Sequence, residues 1–221
     1  WIGRAGSGKS ARVLETIQRE RENRSQLLLV PEHTSHEAEL DLCRFCGPTA
    51  CRSAEVLTFQ SLATRVLGET GGLADVTLDN GGKLLTMRRC LQELHTQLKV
   101  VGRPSQRSAF LHQLTTLADE FYAYQIAPET LYRHVEDMEG AMGDKLRDVA
   151  LIFAAYDARL RHGGTDTRSR VQKLHDSLPQ SHYLDGKDLY LDGFSFFNKQ
   201  EESVLALALR RCASVTVTLA R

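Results

Sequence analysis

Eight residues near the start of the chain, Gly3-Arg4-Ala5-Gly6-Ser7-Gly8-Lys9-Ser10, follow the spacing G-x-x-x-x-G-K-S/T in full. Each residue type answers a need of phosphate chemistry. Glycines let successive backbone N–H groups turn inward around an anion. A helix that starts near Lys9 points its positive end at the same charge. The Lys9 ammonium then reaches the β- and γ-phosphates of a nucleoside triphosphate, and the Ser10 hydroxyl holds Mg²⁺. Binding of ATP with magnesium by residues 3–10 is the expectation.

A site of this kind needs a second magnesium ligand, a carboxylate at the end of an apolar strand. Asp192, after Leu189, Tyr190 and Leu191, fits that description, so Ser10 and Asp192 form the expected metal pair. No catalytic residue is assigned. In DNA helicases of superfamily 1 the next position is a glutamate that orients and deprotonates the attacking water. Here it is Gly193, which has no side chain. Loss of a positioned general base removes about 10²–10⁴-fold in rate. Glu201 and Glu202 lie farther along, on the following helix. The expected behaviour is nucleotide binding with weak or absent hydrolysis.

These residues must be held by a scaffold, and the chain's patterning predicts one. From Ser10 to Arg24, Val13, Leu14 and Ile17 recur at helical spacing. The apolar run from Gln26 to Val30 stops at Pro31, as a strand buried on both faces does. His36 to Phe45 reads as a helix, Glu55 to Phe59 as a strand, and Ser61 onward as a helix up to Gly71-Gly72. Strands alternating with helices predict a parallel sheet with crossover helices. From Asp79 to Leu178 only helical periodicity remains. Leu84, Leu85, Met87, Leu91, Leu94 and Leu98 form one stripe, Phe110, Leu111, Leu114, Leu117, Ala118 and Phe121 a second. Leu146, Val149, Ile152, Phe153, Tyr156 and Leu160 form a third. The α/β pattern returns with the strand at Asp188, a helix from Lys199 to Cys212 opened by Asn198 and Glu201, and a strand at Val215 to Leu219. The predicted class is α/β, a P-loop NTPase parallel sheet of superfamily 1 helicase type with an all-helical insertion. The discontinuous core covers 1–78 and 179–221, the insertion 79–178. Only Trp1 and Ile2 precede the loop, and the last strand stops just short of the end, so the segment is expected to be the N-terminal piece of a longer protein.

Composition narrows the class further. The 221 residues carry 28 acidic and 28 basic side chains, so no global field draws the chain to nucleic acid. No apolar run approaches the roughly 18 residues of a membrane span, and five cysteines, an odd number, fit a reducing compartment. A cytoplasmic protein with no membrane partner is expected.

Several segments together resemble the N-terminal helicase-like region of the AddB family, the B subunit of the bacterial AddAB helicase–nuclease, to which RexB is related. They are residues 3–10, Leu28-Leu29-Val30-Pro31-Glu32, the stretch from Val56 to Ala63, and Leu189 to Phe194 with Gln200 and Glu201. Asp192-Gly193-Phe194 in place of Asp-Glu is the most discriminating of them. The resemblance implies a helicase-like scaffold that has lost its motor role and pairs with an AddA-like helicase–nuclease subunit. It implies double-strand break processing for recombination, with the helicase-like part involved in recognising Chi on single-stranded DNA. The family's nuclease residues and iron–sulfur cluster lie outside this segment. Thr58 and Phe59 match the helicase motif that touches single-stranded DNA, and Phe59 would offer a stacking face; a core role is the alternative. Two other readings stay open: an active superfamily 1 ATPase in which another glutamate supplies the base, and a RecC-like scaffold with a vestigial loop.

Lesser features point to structure. His33, His36, Cys43, Cys46 and Cys51 are close in sequence but do not complete a tetrahedral zinc pattern. Arg88, Arg89 and the run Arg159, Arg161, Arg168, Arg170 and Lys173 read as solvated helix faces before DNA contacts. Tyr122 and Tyr124 read as core or interface.

Overall fold

The computed structural model describes residues 1–4, 6–47, 49, 54–73, 78–101, 108–162 and 169–220. Its elements run β1 (Ile2–Gly3), α1 (Lys9–Glu20), β2 (Gln26–Leu29), α2 (Ser35–Cys46), β3 (Ala54–Leu57) and α3 (Phe59–Thr70). Four helices follow: α4 (Asn80–Leu94), α5 (Ser108–Ala123), α6 (Pro128–Val135) and α7 (Gly140–His162). Then come α8 (Arg170–Ser177), β4 (Asp188–Leu191), α9 (Lys199–Arg211), β5 (Ser214–Val217) and β6 (Leu219–Ala220). The chain divides into two compact units, one of Trp1–Leu73 with Arg170–Arg221 and one of Ala74–Ser169.

In the first unit four parallel strands lie in the order β3-β2-β4-β5. Leu28 pairs with Val56 on one side and with Tyr190 on the other. Consecutive N–H groups of an extended strand point to opposite sides. The Thr218 N–H accordingly meets the Leu191 carbonyl at 2.9 Å, while the Leu219 N–H meets that of Trp1 at 2.9 Å. β1 therefore runs parallel to β6 on the side away from β4, with Ile2 opposite Leu219.

The strands are apolar on both faces because helices cover both. Leu27, Leu29, Leu57, Leu189 and Leu191 face α3, α8 and α9 through Leu62, Val66, Val171, Leu174, Val204 and Ala208. Leu28, Val30, Ala54 and Tyr190 face α1 and α2 through Val13, Ile17, Leu42 and Cys46. Each such Leu contributes about 1.5–3 kcal/mol through burial. Helical periodicity groups residues 170–178 with the insertion, but α8 lies in this first unit, where Val171 and Leu174 bury against the sheet core. An apolar stripe reports that a helix face is covered, not which surface covers it.

The second unit is helical. Met87, Cys90 and Leu91 from α4, Leu111, Leu114 and Ala118 from α5, and Ile152, Phe153 and Tyr156 from α7 share one core. Leu85, read as part of the first stripe, is 68% exposed. Tyr122 packs edge-on against Phe153 and donates to Asp157 Oδ1 at 3.0 Å. The chain after α4 is tied down by the buried Asp148 of α7, whose carboxylate accepts the N–H groups of Lys99, Val100 and Val101 at 3.0, 2.7 and 2.9 Å. Asp148→Ala leaves those donors without a protein acceptor and is expected to cost about 2 kcal/mol in chemical unfolding. An unchanged unfolding midpoint would remove this carboxylate from the account of the unit's stability.

Candidate functional site

The segment from β1 to α1 has the backbone that its composition demands. Gly6 has φ 75° and Gly8 has φ 79°, left-handed values that cost other residues about 1–2 kcal/mol. A Cβ at either would meet nothing within 4 Å, so the dihedral angle and not crowding calls for glycine. At Gly3 the reason is closeness, since a Cβ there would lie 2.6 Å from Ser7 Oγ. Ala5 lies outside the described residues. α1 begins at Lys9 with no side-chain cap at Gly8, so its first-turn N–H groups have no side-chain acceptor there. The Lys9 ammonium folds across the loop and donates to Gly3 O at 2.9 Å and Arg4 O at 2.8 Å. Ser10 is exposed in the first turn of α1. The start of α1 and the Lys9 ammonium, bonded back to Gly3 and Arg4, thus lie together.

Asp192 follows β4 and is half-buried. Its N–H donates to Leu29 O at 3.1 Å, and its Oδ1 accepts a hydrogen bond from the Thr218 hydroxyl. Because the strands are parallel, the phosphate-type loop and Asp192 leave the same edge of the sheet, with only the β5–β6 strand line between them. Ligands of open α/β sheets bind at this carboxyl edge. A hydroxyl and a carboxylate are hard oxygen donors of the kind that magnesium takes.

Gly193 has φ 81°, and a Cβ built on it would sit 3.5 Å from Pro31 Cδ. Pro31 follows β2, the neighbour of β4 on the side away from β5 and β1. The position that lacks a glutamate therefore also faces away from the phosphate-type loop. The two later glutamates are engaged elsewhere. Glu201 closes the capping box of α9 by accepting the Asn198 N–H at 2.9 Å, and burial pushes its carboxyl above the usual range. Glu202 pairs with Lys199 at 3.1 Å.

The structure places Thr58 and Phe59 inward. Thr58 is buried as the N-cap of α3; its hydroxyl accepts the Ser61 N–H at 3.2 Å while its own N–H donates to Ser61 Oγ at 2.7 Å. Phe59 is 5% exposed and meets Phe194 edge-on, with ring centroids 5.8 Å apart. A ring enclosed in the core has no face for a base. Much of the basic run is also committed: Arg159 pairs with Glu93, Arg161 pairs with Asp157 at 2.8 Å, and Lys173 is buried. Arg168 and Cys51 lie outside the described residues. Among the described cysteines, burial pushes Cys90 and Cys212 up to about 11, so neither is a thiolate at neutral pH. Among the described residues no group of three or more metal-ligating side chains gathers.

Sequence reasoning passes over Thr218. It sits in an alternating strand, Ser214-Val215-Thr216-Val217-Thr218, where nothing marks one threonine from another. Only the neighbouring strand shows that its hydroxyl meets Asp192.

The family described as AddB, N-terminal, matches residues 1–221. The chain is 34% identical over 230 residues to the B subunit of an ATP-dependent helicase/deoxyribonuclease of Geobacillus thermodenitrificans, covering 99% of this chain and 20% of that protein. A protein of the same name from Clostridium tetani is 33% identical over 224 residues, with 98% and 20% covered. One from Desulforamulus reducens is 34% identical over 226 residues, with 99% and 20% covered. The chain thus spans about a fifth of the length of the curated relatives it matches. On the match over its whole length, this chain belongs to the AddB N-terminal family.

Proposed function

We propose that this chain is the nucleotide-holding, helicase-like part of an AddB-type protein, binding ATP with magnesium but turning it over weakly or not at all. Residues 3–10 cradle the phosphates, Lys9 exchanges its loop carbonyls for phosphate oxygens, and Ser10 and Asp192 hold the metal. When bound, magnesium neutralises charge between the β- and γ-phosphates. The observation that carries the weak-turnover reading is Gly193, where the backbone is left-handed and directed at Pro31. The engagement of Glu201 and Glu202 speaks against a substitute base and so against the active-motor alternative. Support for a P-loop NTPase core comes from the parallel strand order and from the loop between β1 and α1.

The relatives' name, as B subunits of an ATP-dependent helicase/deoxyribonuclease, supports a wider proposal. The full-length protein would work with an AddA-like subunit on DNA breaks in the cytoplasm, the assembled complex holding single-stranded DNA. Among the described residues no helix is long and apolar enough to cross a membrane. A titration of ATP·Mg²⁺ on the full-length protein, beside a turnover assay, tests the nucleotide reading. Saturable binding with turnover about 10²–10⁴-fold below that of a motor with its glutamate is expected. Brisk turnover would restore the motor, and no binding would leave a RecC-like scaffold.

A further inference from the structure

Thr218 is 2% exposed and lies where the last strand stops pairing with β4 and starts pairing with β1. Its N–H bonds to Leu191 O, the residue before Asp192, and the next N–H bonds to Trp1 O, beside the phosphate-type loop strand. Its hydroxyl donates to Asp192 Oδ1. Among the described residues no other side chain bonds that carboxylate. A buried hydroxyl costs free energy unless it is hydrogen-bonded, and valine would fill the same place in an alternating strand without that cost.

We propose that Thr218 is a positioning residue for the metal-binding carboxylate. Its hydroxyl fixes the rotamer of Asp192 by occupying Oδ1 and leaves Oδ2 for the magnesium of the bound nucleotide. This rests on the reading of Asp192 as a magnesium ligand. Partners that orient a ligating carboxylate are worth about 10–100-fold in metal affinity.

The test compares ATP affinity in Mg²⁺ and in EDTA on the full-length protein. Wild type, Thr218→Val, Thr218→Ser, Asp192→Asn and the Thr218→Val/Asp192→Asn double variant are titrated side by side. Thr218→Val is expected to lose about tenfold in affinity in Mg²⁺ and to keep wild-type affinity in EDTA. Thr218→Ser keeps the hydroxyl and is expected to stay near wild type in both. The double variant is expected to be no weaker than Asp192→Asn alone, because the hydroxyl acts through the carboxylate. Equal losses in Mg²⁺ and EDTA for Thr218→Val, or a Thr218→Ser as weak as Thr218→Val, would show a structural role and overturn the proposal. So would additive losses in the double variant. Magnesium-dependent binding that Thr218→Val leaves intact overturns Thr218 alone. A wild type whose ATP binding ignores magnesium overturns the metal reading of Asp192, and Thr218 with it.

Discussion

Lys9→Ala is expected to weaken ATP·Mg²⁺ binding by about a hundredfold or more. Charge-assisted hydrogen bonds contribute about 1.5–3 kcal/mol each, and the loss of about 3 kcal/mol is roughly a hundredfold in affinity. The variant should still fold. The bonds that Lys9 makes to Gly3 O and Arg4 O are half-buried and exposed, and water can replace the donor there. Thermal unfolding with and without nucleotide separates the two effects. A ligand at a hundred times its Kd stabilises the folded state by about 2.7 kcal/mol. The wild type should show that gain, and Lys9→Ala should unfold at nearly the same temperature with or without ATP. A variant that binds and is stabilised like the wild type would remove the phosphate role of residues 3–10.

Gly193→Glu restores the residue that a superfamily 1 motor carries, yet it is expected to raise ATP turnover by less than about tenfold, against the 10²–10⁴-fold that a well-placed base supplies. Two features of the backbone oppose it. A φ of 81° costs a non-glycine residue about 1–2 kcal/mol. The Cβ would also point at Pro31, beyond β2, whereas the phosphate-type loop lies on the other side of β4. Gly193→Ala isolates the first effect and should show the stability loss with no change in turnover. A hundredfold gain in Gly193→Glu would mean that the corner turns over to deliver the carboxylate, and the motor reading would return.

The backbone at Gly6, Gly8 and the start of α1 is legible in the sequence because its causes are local. Positive φ at Gly6 and Gly8 and a helix starting at Lys9 follow from a few adjacent residues whose intrinsic preferences agree. The parallel sheet is legible for a related reason. Continuous apolar runs such as Leu27 to Val30 are stable only when both faces are covered. Asp192 is placed at a strand end by the same logic.

Four outcomes are decided by neighbours that the chain brings in from far along its length. α8 belongs with the sheet although its stripe reads like those of α4, α5 and α7. Phe59 is enclosed by Phe194, and its motif cannot reveal that. Gly193 shows in the sequence only that no side chain stands there, and Pro31 shows where any replacement would point. Thr218 acquires its bond to Asp192 from the register between β5 and β4. Periodicity and motif report the preferences of a segment, whereas exposure, side-chain direction and hydrogen-bond partner are properties of two segments in contact, and those come from the tertiary fold alone.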